Sequence, residues 1–471
     1  MAELEGREIV GTKKEFAIYL VLVIGIGILL FFLLEDTKQT LAATIFLATV
    51  IGTLMFWRFR VGIAFLGIVL LLLTRTIDLP HTIEFMSLDV IIFLMGMMVI
   101  VGLLRQSGFF RWLLAKGLKF SKFEPNWLML IILALAAVMA ALVDEVTSIL
   151  FMTALVLDLC DYFKVSPVKY IISVVLATNI GSSWTVLGNP IGILIALRSG
   201  LTFEDFIVTA FPIGVVSLLC LMVIVLIWQR GDLRLLKDKI GARSAEDRVA
   251  LLDELAAVKD RTLFIGSVVI FVGVIIALAL HYRLELLLEL EKNTLLVASS
   301  IAGAGIVMLW QRHQARKFIQ EDVDWWVLIF FMFLFAKAGS LKYVGLSDVI
   351  TNSMLNLSGG GNVPILIVVM LWLSGFASAA MDNVVVVAAL VPTLVSLTEQ
   401  LGTPVLWWAL LFGGCYGGNM TMVGSTANIV ALGMLEDRAG YHMKLSYWIK
   451  IGLWGSLIPM AIGTAALLLF G

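Results

Sequence analysis

Charge is scarce in this chain. Aspartate, glutamate, lysine and arginine make up 14% of its 471 residues, against roughly a quarter in soluble domains. The formal net charge is −1, so no basic excess points to nucleic acid. Cysteine is nearly absent as well. Cys160, Cys220 and Cys415 lie in or beside apolar stretches with no CxxC spacing, which argues against redox or metal roles and reads them as small core residues. The histidines His81, His281, His313 and His442 are too far apart in sequence to suggest a metal cluster. No GxSxG, P-loop or nucleophile–base set occurs, so catalytic residues, a bound cofactor and ATP-driven pumping are not expected. Period-2 alternation is missing too, which excludes an outer-membrane barrel.

What the chain has is apolar sequence in blocks. Sixty-one per cent of its residues are hydrophobic. Phe16–Leu34, Leu41–Trp57 and Val61–Thr74 each approach the ~20 residues that cross a hydrocarbon core. The first block follows Lys13 and Lys14 but is long and has no A-x-A site after it, so it reads as a retained span rather than a signal peptide. These features predict an all-α polytopic protein of the inner (plasma) membrane, with the lipid bilayer as its surroundings.

The chain also repeats itself. Thr185-Val186-Leu187-Gly188-Asn189-Pro190 lines up with Thr421-Met422-Val423-Gly424-Ser425-Thr426, and Gly181 with Gly417. Asp144-Glu145 lines up with Asp382-Asn383, Gly102 and Gly108 with Gly339 and Gly345, and Arg105 with Lys342. All share an offset of about 236–238 positions, the mark of a duplication. The polar stretch Trp228–Arg261, either an amphipathic surface helix or a flexible linker, separates the halves. With the N-terminus cytoplasmic, segments 1–15, 58–60, 105–126, 163–169, 229–262, 311–324 and 437–450 fall inside and hold 26 of the 33 Lys and Arg residues. The two core units then run in opposite directions, giving two inverted repeats. The expected organisation is N-terminal scaffold helices (1–87), a first core (88–228), a cytoplasmic linker (229–262), further scaffold helices (263–324) and a second core (325–471). Each core carries a re-entrant helical hairpin (127–163, 363–401) and a broken transmembrane helix (168–198, 405–437). Two full crossings in place of each re-entrant hairpin would leave the same loops inside.

Polar residues interrupt the apolar sequence at two kinds of place. Asp144, Glu145 and Thr147 form one hairpin tip, Asp382 and Asn383 the other. A carboxylate at membrane depth costs several kcal/mol unless paired or hydrated, which marks it as functional, although Asp144 and Asp382 could also serve as helix caps. The second kind is the break. Thr178, Asn179, Gly181, Ser182, Thr185 and Asn189 interrupt one span, and Gly417, Asn419, Thr421, Ser425 and Asn428 its counterpart. Unwound backbone at this depth must line a cavity or be buried in protein, and half-helix ends offer carbonyls and N–H groups to a cargo. Close packing of small residues explains the glycines but not the adjoining asparagines and threonine. Lys337, inside an apolar block, could pair with one of the acids or snorkel to the surface.

These motifs resemble the ion transporter superfamily, which includes arsenite-efflux permeases, D-type sodium/proton antiporters, citrate transporters, the P protein and divalent anion:sodium symporters. The runs Gly417–Val430 and Met381–Val384 look most like the arsenite-permease and P-protein branch. The resemblance implies a scaffold domain, a mobile transport domain and a homodimer. Asp144-Glu145 departs from the Asp-Asn usual at that tip, and the Ser-Asn-Thr tips of dicarboxylate symporters are missing. Clustered acids repel a bare dianion, so the expected activity is proton-linked antiport of a small cation such as sodium, or of a neutral metalloid hydroxide such as arsenite, with H+ and/or Na+ as coupling ion. Uptake of citrate or a dicarboxylate by symport is the alternative, and a channel is a weaker one.

Overall fold

The computed structural model describes residues 13–34, 36–242 and 258–470. Most of these residues are helical, with no strand among them, and eleven of the helices are long and apolar enough to cross a membrane. The all-helical polytopic architecture follows from a simple constraint. With no water in the bilayer core, each span must pair its own backbone polar groups, and a helix does so within one segment.

Helix α1 (Lys13–Leu33) is apolar all round and buries no residue, as a lipid-facing span should. It packs on α2 (Thr37–Met55), whose first turn is capped by Asp36 accepting the Lys38 N–H. The hydroxyls of Thr40, Thr44, Thr49 and Thr53 each donate to the carbonyl four residues earlier, which satisfies them inside an apolar span. Helix α3 (Arg60–Leu73) begins at a buried arginine whose guanidinium lies 4.2 Å from the Trp57 ring centroid. Next come a short α4 (Leu79–Glu84), a span α5 (Leu88–Ser107) and an amphipathic α6 (Phe109–Ser121).

The first hairpin is α7 (Pro125–Leu142) and α8 (Glu145–Phe163), and the first broken helix is α9 (Val168–Gly181) and α10 (Pro190–Ser199). Helices α11 (Phe211–Trp228) and α12 (Arg230–Gly241) lead toward the polar stretch. There α12 buries Leu233, Leu236 and Ile240 and exposes its charges, so this part is the amphipathic helix; residues 243–257, including Arg243 and Arg248, lie outside the described residues. Helices α13 (Arg261–Leu287) and α14 (Thr294–Trp310) come before the second set. That set is the span α15 (Trp325–Tyr343), the amphipathic α16 (Leu346–Leu357), the hairpin α17 (Val363–Ala380) with α18 (Asn383–Leu401), and the broken helix α19 (Val405–Gly417) with α20 (Thr426–Ala439). Helix α21 (Leu445–Phe470) ends the described chain.

The element order from α5 to α10 thus recurs from α15 to α20, down to its turns. Gly108 (φ 82°) precedes α6 and Gly345 (φ 75°) precedes α16, both in the left-handed region that a Cβ disfavours.

The described residues form two compact units. One comprises those of Met1–Ile91, Trp325–Gly361 and Ala388–Gly402; the other those of Ile92–Asp324, Asn362–Val387 and Thr403–Gly471. The second unit contains both hairpin tips and both broken helices, and so nearly every candidate site residue.

Candidate functional site

Each hairpin tip is an Asp followed by a helix start. The Asp144 carboxylate accepts the Thr147 N–H at 2.8 Å and caps α8. Asp382 Oδ1 accepts the Val384 N–H at 3.0 Å at the start of α18. Its other oxygen accepts from the Thr426 hydroxyl at 2.6 Å, which ties the second tip to the start of α20. Both aspartates therefore do the work of caps, and Asp382 is also a clamp.

The next residue in each tip is different. Glu145 is 1% exposed and its Oε2 has no hydrogen-bond partner. Asn383 is fully buried, and neither its Oδ1 nor its Nδ2 is partnered. Three hydroxyls of the same unit, Thr153, Thr178 and Ser378, are buried and unpartnered as well. Unpaired polar atoms at such burial cost free energy and call for a functional account.

The breaks themselves follow from close helix crossing. A Cβ on Gly181 would strike the backbone of Ala137 in α7, and a Cβ on Gly417 the backbone of Gly375 in α17. Beyond each glycine the chain turns out of helix and a threonine ties it back to the hairpin arm. Thr185 donates to the Ala141 carbonyl, and Thr421 to that of Ala379 at 2.5 Å. Their oxygens accept the Leu187 and Val423 N–H groups. Asn189 then caps α10, with Pro190 in its first turn, and Ser425 caps α20. The two halves match in their glycine crossings and threonine ties.

Between the breaks lies a closed amide network. Asn179 Nδ2 donates to Asn419 Oδ1 at 2.8 Å and to Asn428 Oδ1 at 2.9 Å, while its Oδ1 accepts from the Ser425 hydroxyl at 3.2 Å. Asn419 Nδ2 donates to the carbonyls of Leu176 and Gly455, and Asn428 Nδ2 to those of Gly418 and Thr421. These four buried side chains spend their hydrogen bonds on protein. They hold the two breaks together.

Glu145 has other company. Asn189 Nδ2 donates to Ser182 Oγ at 3.0 Å and approaches Cys415 Sγ at 3.1 Å. The Asn189 amide and the Ser182 hydroxyl also lie against the Glu145 carboxylate, and the charges acting on that carboxylate are those of Asp382 and Asp144. Sequence reading placed Cys415 among packing residues and did not single out Ser378; the only available signal was a small polar side chain inside an apolar run. Thr147 supplies its backbone N–H to Asp144. Lys337 belongs to the other unit. Its side chain is fully buried and does not snorkel; its ammonium faces the Ala64 carbonyl at 3.5 Å beside Gly67. Among the described residues no group of three or more His, Cys, Asp or Glu side chains could hold a metal ion.

Residues 50–413 match the CitMHS family, described as citrate transporter. The chain belongs to that family. An uncharacterized transporter of Mycobacterium bovis is 32% identical over 386 residues, 81% of this chain and 85% of that protein. The human P protein is 27% identical over 83% of this chain and 54% of its own length. Among solved structures, the YdaH transporter of Alcanivorax borkumensis superposes with a TM-score of 0.53 at 16% identity, covering 82% of this chain and 86% of that one. MtrF of Neisseria gonorrhoeae, of a class of antimetabolite efflux pumps, gives 0.54 at 13% identity, covering 86% and 84%. At such identities the two structures speak for the fold alone. The resemblance to the ion transporter superfamily holds, and the CitMHS chain is a multi-pass membrane transporter of a small-molecule substrate.

Proposed function

We propose that the chain is a proton-linked antiporter of the plasma membrane, with a cytoplasmic N-terminus, that exchanges protons for a small cation such as sodium or for a neutral metalloid hydroxide such as arsenite. The observation that carries this reading is the unpartnered oxygen of Glu145, 1% exposed and beside two aspartates. A carboxylate in such a setting is costly as a bare anion. A proton or a bound cation relieves that cost, and the two relieve it in competition. Competition for one carboxylate is the elementary step of exchange. Asn383, with a free donor and a free acceptor, suits a hydroxylated or hydrated cargo. Opposed repeats would present this pocket alternately to the two faces, and a homodimer is part of the proposal.

The test uses the full chain in proteoliposomes loaded with a pH-sensitive dye. Adding sodium, lithium or arsenous acid outside should move protons, and Glu145→Gln should abolish the response while the variant remains monodisperse in detergent. Asp382→Asn should weaken coupling too, because the Asp382 charge acts on the Glu145 carboxylate. A wild-type trace that stays flat for every cation and for the metalloid defeats the proposal.

A second reading rests on the family description, citrate transporter. The charges around Glu145 are acidic, so a tricarboxylate would have to enter with cations that neutralise the pocket. Labelled citrate that accumulates only when a cation is supplied, with no proton movement on cation addition alone, would favour it.

A further inference from the structure

A cavity lies in the unit that contains α1, α2 and α3. It is an open groove of about 740 Å³, lined on α1 by Lys13, Phe16, Tyr19, Leu20 and Val23, at the connection between α2 and α3 by Phe56 and Phe59, and along those two helices as far as Thr44 and Leu70. Lys13, Phe16, Leu20 and Val23 recur at helical spacing, so the groove follows one face of α1. Ten residues of helix from Lys13 to Val23 rise about 15 Å, half of a ~30 Å hydrocarbon core.

The walls offer nothing to a polar cargo. Thr44 and Thr49 spend their hydroxyls on their own helix, and Tyr19 donates to the Ala48 carbonyl at 3.1 Å. Charge that reaches the groove surface gathers at one end; the fully buried Lys337 ammonium sits behind the lining residue Gly67, facing the Ala64 carbonyl. Lys13 lines the mouth, Lys14 follows it, and exposed Arg58 lies between the lining residues Phe56 and Phe59; Glu15 is the acid in the same stretch. Arg60 is turned inward over Trp57.

We infer that this groove is a binding site for one acyl chain of an anionic phospholipid, with the phosphate head at the Lys13 and Arg58 end. The depth matches a single leaflet, the satisfied walls match hydrocarbon, and the cationic mouth matches a negative head. A zwitterionic lipid fills the same groove but gains less at the mouth.

The experiment is native mass spectrometry of the full chain released from nanodiscs containing equal phosphatidylglycerol and phosphatidylcholine. Wild type should retain phosphatidylglycerol selectively. The double variant Lys13→Gln/Arg58→Gln should hold it about 25-fold more weakly, at about fivefold per removed cation. Ala48→Phe, which fills the groove, should release both lipids. Equal retention of the two lipids by wild type overturns the inference, as does a double variant unchanged in selectivity or a lipid-free dimer. Circular dichroism and gel filtration on each variant ensure that a lost adduct is not a lost fold.

Discussion

Asn179 and Asn383 are both fully buried amides in the same unit, yet one is saturated and the other has no partner at all. They should therefore respond oppositely to truncation. Asn179→Ala strands two carbonyl oxygens, of Asn419 and Asn428, and the Ser425 hydroxyl, each at a cost of about 1–3 kcal/mol when left buried. Its melting temperature in detergent should fall markedly. Asn383→Ala strands nothing, so its melting temperature should stay within a few degrees or rise, while transport in proteoliposomes is lost. Equal destabilisation by the two would assign both amides to structure. The sequence marks the two asparagines alike, as polar residues in apolar runs. It carries no trace of which is satisfied, because the partners of Asn179 lie 240 and 249 positions away. The same holds for the tips. The acids were legible from their cost in lipid, but that the aspartates cap while Glu145 keeps a free oxygen depends on side-chain direction.

At the scale of elements, the hairpins and breaks were the most legible features. Glycine, Asp, Asn and Pro punctuate long apolar runs at positions where a helix must stop, and the helices stop there: at Leu142 and Ala380 before the tips, at Gly181 and Gly417 before the breaks. The glycines also set the spacing of α7 against α9 and of α17 against α19, because an added Cβ meets backbone, which cannot turn aside. Gly181→Ala and Gly417→Ala should each cost about 1–3 kcal/mol or more through overpacking, read as reduced yield of folded protein. Gly25→Ala is the contrast. Nothing lies within 4 Å of a Cβ there, and in mid-helix the change should be neutral or stabilising by up to ~1 kcal/mol. If all three behave alike, crossing distance is not what these glycines provide. Less legible was the assignment of α18, whose first five residues belong with the broken helices and whose remainder belongs to the other unit. Its run of valines and alanines reads as one uninterrupted span, and only Pro392 hints at a division.

For the whole molecule, the question is direction. Matching turns, crossings and threonine ties establish that the chain is built twice, and matched contacts look the same whether the copies run parallel or opposed. The sorting of 26 of 33 Lys and Arg residues onto one side favours opposed copies. Asn126 and Asn362 decide it, since both are exposed beside the first turn of a hairpin's leading arm, at α7 and α17. If the repeats are inverted, Asn126→Cys should react with a membrane-impermeant maleimide in inside-out vesicles only, and Asn362→Cys in intact cells only. The native cysteines Cys160 and Cys415 are buried and Cys220 partly so, which keeps their background low. Labelling of both positions from one face would make the copies parallel. A site shared by parallel copies has no symmetry-related second conformation that faces the other side, so that outcome would remove the exchange of conformations between repeats as the route to alternating access while leaving the contacts of Glu145 as they are.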